Sequence, residues 1–223
     1  DIGCHSFATA APFNLGNTIM GYGLSLASSS GMRHALPHKA ISIMGDGGFW
    51  HNGLTSGVSS AVFNEHDGLL IVIDNGYSAA TGGQDIPSLV EPNLIATTLD
   101  AEQPKRDSWQ TIEDACRGAG VKWIRTVSTY NISAMKETLR SALTTDAPGL
   151  KVVVAEGECM LNRQRRIKPM IRQAVSEGQR VKRARFYIDP ETCTGDHGCI
   201  RLSGCPSLTI RENPDPLRSD PVS

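Results

Sequence analysis

Aromatic side chains are scarce, at 5% of 223 residues. Any core must therefore rest on aliphatic side chains, and a 39% hydrophobic content can supply one. A surplus of charge is also missing: 22 Lys and Arg face 23 Asp and Glu, a net −1. That balance argues against a protein that grips nucleic acid or an anionic membrane by bulk charge. No apolar run approaches the roughly 20 residues that a spanning helix needs. No G-x-G-x-x-G opens a helix after a strand, which disfavours the usual dinucleotide site. The chain starts at Asp1 with no initiator methionine and no signal-peptide pattern, so it is expected to be a piece of a longer, cytoplasmic protein.

What is present alternates between helix and strand. Residues 17–30 mix small and apolar side chains and read as a tightly packed helix; 39–44 read as a strand and 53–64 as a helix. "GLLIVIDN", 68–75, is a continuous apolar run rich in Ile and Val, as expected of a strand covered on both faces. A long polar loop, 76–105, follows. Further on, 108–119 and 131–145 read as helices, and 121–127 and 150–156 as strands. The alternation predicts an α/β fold, a doubly wound and mostly parallel sheet. Three regions are expected: a main domain at 1–160, a basic linker at 161–186 and a small cysteine-bearing segment with its tail at 187–223. Within 162–185, nine Lys and Arg face one Glu, which suits a solvated connector or a steering patch for an acidic electron-transfer partner.

The first predicted strand ends at Gly45-Asp46-Gly47-Gly48. In an open parallel sheet, ligands bind beyond the carboxyl ends of the strands. A lone carboxylate there repels a phosphate but suits Mg²⁺, which takes one or two protein oxygens together with phosphate oxygens and water. Gly45 and Gly47 allow close approach of a ligand to the backbone. The next predicted strand ends at Asn75, 29 positions after Asp46. A strand–helix–strand unit takes roughly 30 residues, so both ends can meet at one site, with the Asn75 amide oxygen and the Tyr77 carbonyl as further ligands. A tight turn with Asn75 as a cap is the plain alternative.

At these residues the sequence resembles the thiamine diphosphate enzymes, whose cofactor motif runs from GDG to an Asn about 30 residues later. "DIGCHSFATAAPFN", "GFWHNG" and "DNGYSAATGGQDIP" narrow the resemblance to the 2-oxoacid:ferredoxin oxidoreductases, in the branch acting on indolepyruvate-like aryl 2-oxo acids. The resemblance implies oxidative decarboxylation of a 2-oxo acid, with coenzyme A taking the acyl group and ferredoxin the electrons. Another 2-oxo acid, or a non-catalytic relay module, is the alternative. It further implies that Asp46, Asn75 and the Tyr77 carbonyl hold Mg²⁺, and that Gly47, Gly48, Thr81 and Gly82 line the diphosphate. Cys4 and His5 would lie near the thiazolium, with His51 on the wall. The activating Glu of this family comes from a separate pyrimidine-binding domain, which nothing in this chain resembles, so a partner domain and an oligomer are implied.

Six cysteines divide unevenly: Cys4, Cys116 and Cys159 are scattered, whereas Cys193, Cys199 and Cys205 fall within 13 residues. Cys116 and Cys159 are expected in the core. "CTGDHGCIRLSGCP" resembles a bacterial ferredoxin motif, which suggests an iron–sulfur cluster. Asp196 stands where that motif has its second Cys. Asp196 could ligate through oxygen, a three-iron cluster could leave it free, or His197 could supply nitrogen. A zinc site is an alternative, although the C-x₅-C spacing is wider than zinc sites favour.

Overall fold

The computed structural model describes residues 1–79, 81–88, 110–182, 188–202 and 208–212. Four strands form one parallel sheet in the order β1-β2-β4-β3: β1 (Ile41–Gly45), β2 (Leu69–Asp74), β3 (Trp123–Ser128) and β4 (Lys151–Glu156). Ile41 pairs with Leu69 and Gly45 with Ile73, while Asp74 and Ser128 both pair with Glu156. This register aligns the carboxyl ends of all four strands along one rim.

The β2 side chains explain the two-sided covering. Leu70 and Val72 join one core cluster, with Leu26, Met44, Phe49, Val58 and Cys116. Leu69 turns the other way, against Val153 and Ala142, with Ile71 and Leu139 packed beside them. A period-two strand with apolar residues at every position needs helices on both faces. α1 (Ser25–Met32) and α4 (Ile112–Gly118) cover the first face and α5 (Ile132–Thr144) the second. The doubly wound sheet expected from the sequence is therefore observed.

Local chemistry sets the helix starts. The Thr111 hydroxyl accepts from Asp114 N–H at the head of α4, and Asn131 Oδ1 accepts from Ala134 N–H at the head of α5. α1 starts at Ser25 rather than 17, which corrects the predicted helix over 17–30. Gly21 and Gly23 stand at φ +141° and +79°, which a right-handed helix cannot contain. After β1 the chain turns directly into one helical run: α2 (Asp46–Gly48), a π-helical stretch (Phe49–Ser59) and α3 (Ser60–Phe63). The run begins seven residues before the predicted helix at 53. Gly53 faces β1 closely, since a Cβ there would lie 2.6 Å from Met44 Sδ.

α6 (Met160–Ser176) carries much of the basic stretch, so part of the predicted linker is helical. The chain divides into two compact units, one of Asp1–Phe7 with Asn17–Arg172, the other of Ala8–Gly16 with Gln173–Ser223. Within the second, the Thr192 and Cys193 amides both donate to Asp189 O, and α7 (Gly198–Arg201) follows His197, at φ +54°. Cys116 is buried, and burial pushes its thiol up to about 12, so it is a neutral core group. Cys159 is only partly buried and belongs to neither core cluster, contrary to expectation.

At the amino ends of the strands the Lys151 amine is fully buried and donates to Asp67, which Lys39 also approaches at 3.6 Å. His66 beside them is 1% exposed, and neither ring nitrogen has a hydrogen-bond partner among the described residues. Burial, helped by the positive charge of Arg33, holds its pKa below the ordinary value against the pull of Asp67. A histidine that folds neutral loses ground as pH falls through its unfolded value of about 6.5, because the unfolded chain takes the proton first. The urea midpoint is expected to drop between pH 7.5 and 5.5, and His66→Leu is expected to flatten that dependence.

Candidate functional site

Asp46 follows the last residue of β1 and is 2% exposed. Backbone amides hold its carboxylate: Gly47 N–H donates to Oδ1 at 2.7 Å, and Asn75 and Tyr77 N–H donate to Oδ2 at 2.8 and 3.4 Å. One carboxylate thus joins the rim ends of two neighbouring strands. Burial pushes its pKa up, and the hydrogen bonds from Asn75, Gly47 and Tyr77 oppose that. Asp74 lies against it, pushed up to about 6 by burial and then by the Asp46 charge. Two carboxyls so placed favour either a shared proton or a cation between them.

Asn75 Oδ1 is buried with no hydrogen-bond partner among the described residues. A buried acceptor left unpaired costs about 1–3 kcal/mol, so this atom fits a ligand not supplied by the protein. Carboxylate and amide oxygens beside one another are the donor set of a hard divalent cation such as Mg²⁺. The Tyr77 carbonyl, the third oxygen expected at the metal, accepts from Ala79 N–H at 2.9 Å and keeps a second lone pair. The Tyr77 ring is buried, and its hydroxyl accepts from Arg165 Nη1 on α6 at 3.2 Å.

Asp46, Gly47, Asn75 and Tyr77 lie in a pocket at the rim, whose wall also includes Cys4, His5, Gly45, Gly48 and two residues that sequence reasoning missed, Tyr22 and Ser78. Cys4 is exposed; burial lowers the pKa of His5, and its Nε2 has no partner among the described residues. A Cβ on Gly47 would strike the Tyr22 hydroxyl and lie 2.6 Å from Ser78 Oγ, so only glycine fits there. Asp1 was also missed: its carboxylate accepts from Gly23 N–H and stands against Gly48.

Three expected residues fall elsewhere. His51 is exposed and absent from the pocket wall; its ring lies against Tyr22, ring centroids 5.2 Å apart. Thr81 and Gly82 are exposed and absent from the pocket wall; the Thr81 hydroxyl meets Ser78 Oγ at 2.8 Å, in the turn where Ser78 pairs with Gln84. The turn carries them away because Gly82 and Gly83 stand at φ +106° and +96°.

The family model for the thiamine pyrophosphate enzyme C-terminal TPP binding domain matches residues 1–154. The chain belongs to the thiamine pyrophosphate enzymes. The indolepyruvate oxidoreductase subunit IorA of Methanothermobacter thermautotrophicus is 30% identical over 98% of the chain, and the one from Archaeoglobus fulgidus is 31% identical over 93%. The match spans 31% and 30% of those relatives, so the chain corresponds to about a third of their length. A 2-oxoglutarate:ferredoxin oxidoreductase from Magnetococcus marinus, solved with 2-oxoglutarate, coenzyme A and succinyl-CoA bound, shares the fold. Its TM-score is 0.51 at 16% identity, over 62% of this chain and 46% of that one.

In the second unit, Asp196 Oδ1 accepts from Gly198 N–H at 3.2 Å and from the Thr194 hydroxyl at 2.9 Å, which lowers its pKa. No group of three or more His, Cys, Asp or Glu is poised to hold a metal among the described residues. Cys205 lies outside them. No described helix is long and apolar enough to cross a membrane.

Gly47→Ala is expected to displace Tyr22 and Ser78. Thiamine diphosphate affinity should fall at least roughly tenfold in calorimetry, about 1.4 kcal/mol, because the displaced side chains would intrude on the pocket. Far-ultraviolet circular dichroism should be unchanged.

Proposed function

We propose that this chain is the diphosphate-binding part of a 2-oxoacid:ferredoxin oxidoreductase acting on an indolepyruvate-like aryl 2-oxo acid. The observation that carries the reading is Asn75 Oδ1, buried without a hydrogen-bond partner among the described residues, beside the amide-held Asp46, in a chain of the thiamine pyrophosphate family. Asp46, Asn75 and the Tyr77 carbonyl would hold Mg²⁺, with the diphosphate beside Gly47 and Gly48. Thiamine diphosphate, when bound, supplies the carbanion-stabilising chemistry needed for loss of CO₂ from a 2-oxo acid. His5, neutral through burial, would present Nε2 to the bound substrate as a proton acceptor, with Cys4 beside it. Coenzyme A would take the acyl group, and two electrons would leave for ferredoxin. The names of the IorA relatives support the aryl substrate.

A covering partner is part of this reading. The chain leading into the pocket carries Ile2, Phe7, Ile19 and Met20, exposed by 45–81%. Such residues suit burial under a pyrimidine-binding domain of the same enzyme, in an oligomer. For the second unit we propose an iron–sulfur site from Cys193, Cys199 and Cys205, with Asp196 or His197 as a further ligand or a three-iron cluster without one. The domain reading of 1–160, 161–186 and 187–223 goes with it.

Titration of thiamine diphosphate into the intact protein is expected to show binding that needs Mg²⁺ and that Asp46→Ala abolishes. Metal-independent binding, or an Asp46→Ala variant that binds normally, would count against the metal assignment. Anaerobically purified intact protein is expected to hold inorganic sulfide and to absorb near about 400 nm, as iron–sulfur charge transfer does. If Cys193→Ser leaves iron and sulfide content unchanged, or if zinc alone is present, the cluster assignment fails.

A further inference from the structure

Tyr22 stands at the meeting point of several contacts on the pocket wall. Its ring lies against His51, and its hydroxyl meets Ser78 Oγ at 2.9 Å. Ser78 is 7% exposed and also meets the Thr81 hydroxyl, which donates to Gln84 Oε1. The missing Cβ of Gly47 makes room for the Tyr22 and Ser78 oxygens over the start of the helical run. Tyr22 is thus held at both ends, ring and hydroxyl.

The protons in this chain have one consistent order. Gln84 Oε1 carries none, so the Thr81 proton goes to it. Ser78 then donates to Thr81, and Tyr22 donates to Ser78. The last proton of the chain, on the phenol, sits at the pocket wall beside Gly47. It is the one proton that can leave its partner without breaking the rest of the chain. An anionic oxygen at Gly47 would exchange the neutral Tyr22–Ser78 bond for a charge-assisted one, roughly twice as strong.

We propose that the Tyr22 hydroxyl, poised over Gly47 by Ser78, is a phosphate-recognising donor of this pocket, acting on the metal-bound diphosphate end of the cofactor. The inference rests on the cofactor reading above and adds to it a residue outside the Asp46–Asn75 motif. The donor touches the phosphate end and makes no use of the thiazolium or pyrimidine rings.

The test uses the intact protein with Mg²⁺ and two probes, thiamine diphosphate and inorganic diphosphate. Tyr22→Phe keeps the ring against His51 and removes only the oxygen. It is expected to weaken both probes by a similar factor, roughly tenfold to a hundredfold, the scale of one hydrogen bond to a charged group. Far-ultraviolet circular dichroism should match wild type, and the unfolding midpoint should fall only slightly, through loss of the neutral Tyr22–Ser78 bond. Unchanged affinity for both probes overturns the proposal. A loss confined to thiamine diphosphate also overturns it, because the side chain would then act on the organic part. Asp46→Ala is run in parallel. If it binds both probes like wild type, the cofactor reading itself fails and the Tyr22 proposal falls with it, whereas loss in Asp46→Ala with no loss in Tyr22→Phe removes only the latter.

Discussion

The arrangement of this molecule depends on one buried carboxylate. Asp46 directly follows the first strand of the sheet and accepts amide protons from the turn after the second. A carboxylate removed from water needs such donors, because an unpaired buried charge would otherwise take up a proton. By filling that need from the neighbouring strand, the fold fixes the loop after β2 and brings Asn75 to the same place. The same contact leaves Asn75 Oδ1 inside the rim with no protein partner among the described residues. Stability and the proposed ligand binding therefore meet in one group: the amides that anchor Asp46 also set the place proposed for a cation.

Glycine supplies the space for this arrangement. Positions 47, 48 and 53 are crowded by Tyr22 and Ser78, by Asp1, and by Met44 in turn. Each contact draws the helical run after β1 close to its neighbours, and a methyl group at any of them would force a shift. The π-helical turn over Phe49–Ser59 belongs to the same run. Such stretches are often found beside functional sites, where they re-aim side chains. Here Phe49 enters the core while Trp50 reaches Ser88 through its indole N–H.

Much of the sheet was readable from residues alone. Apolar runs with Ile and Val gave strands within one to two residues of their observed ends, because buried parallel strands are almost uniformly apolar. The Gly-Asp-Gly step and the distance to Asn75 also pointed correctly to two adjacent strand ends. The helix expected over 17–30 was misread because small apolar residues there suit a helix by composition, while Gly21 and Gly23 adopt φ values no such helix contains. Thr81, Gly82 and His51 were placed by likeness; none of them lines the pocket, and for Thr81 and Gly82 the turn with its two positive-φ glycines is the reason.

Local sequence therefore determined the alternation of elements, the parallel class of the sheet and the carboxylate that marks its functional rim. These follow from periodicity, from strand hydrophobicity and from the length of a crossover, all properties of neighbouring residues. Tertiary structure alone decided that Tyr22 lies over Gly47 and meets Ser78, that Asp1 receives the amide of Gly23 and that Asn75 Oδ1 has no partner among the described residues. These are contacts between residues 22 to 56 positions apart or the lack of one, and no local pattern encodes them. They depend on how closely the backbone approaches itself at the strand ends, which is settled only when the sheet and its helices pack.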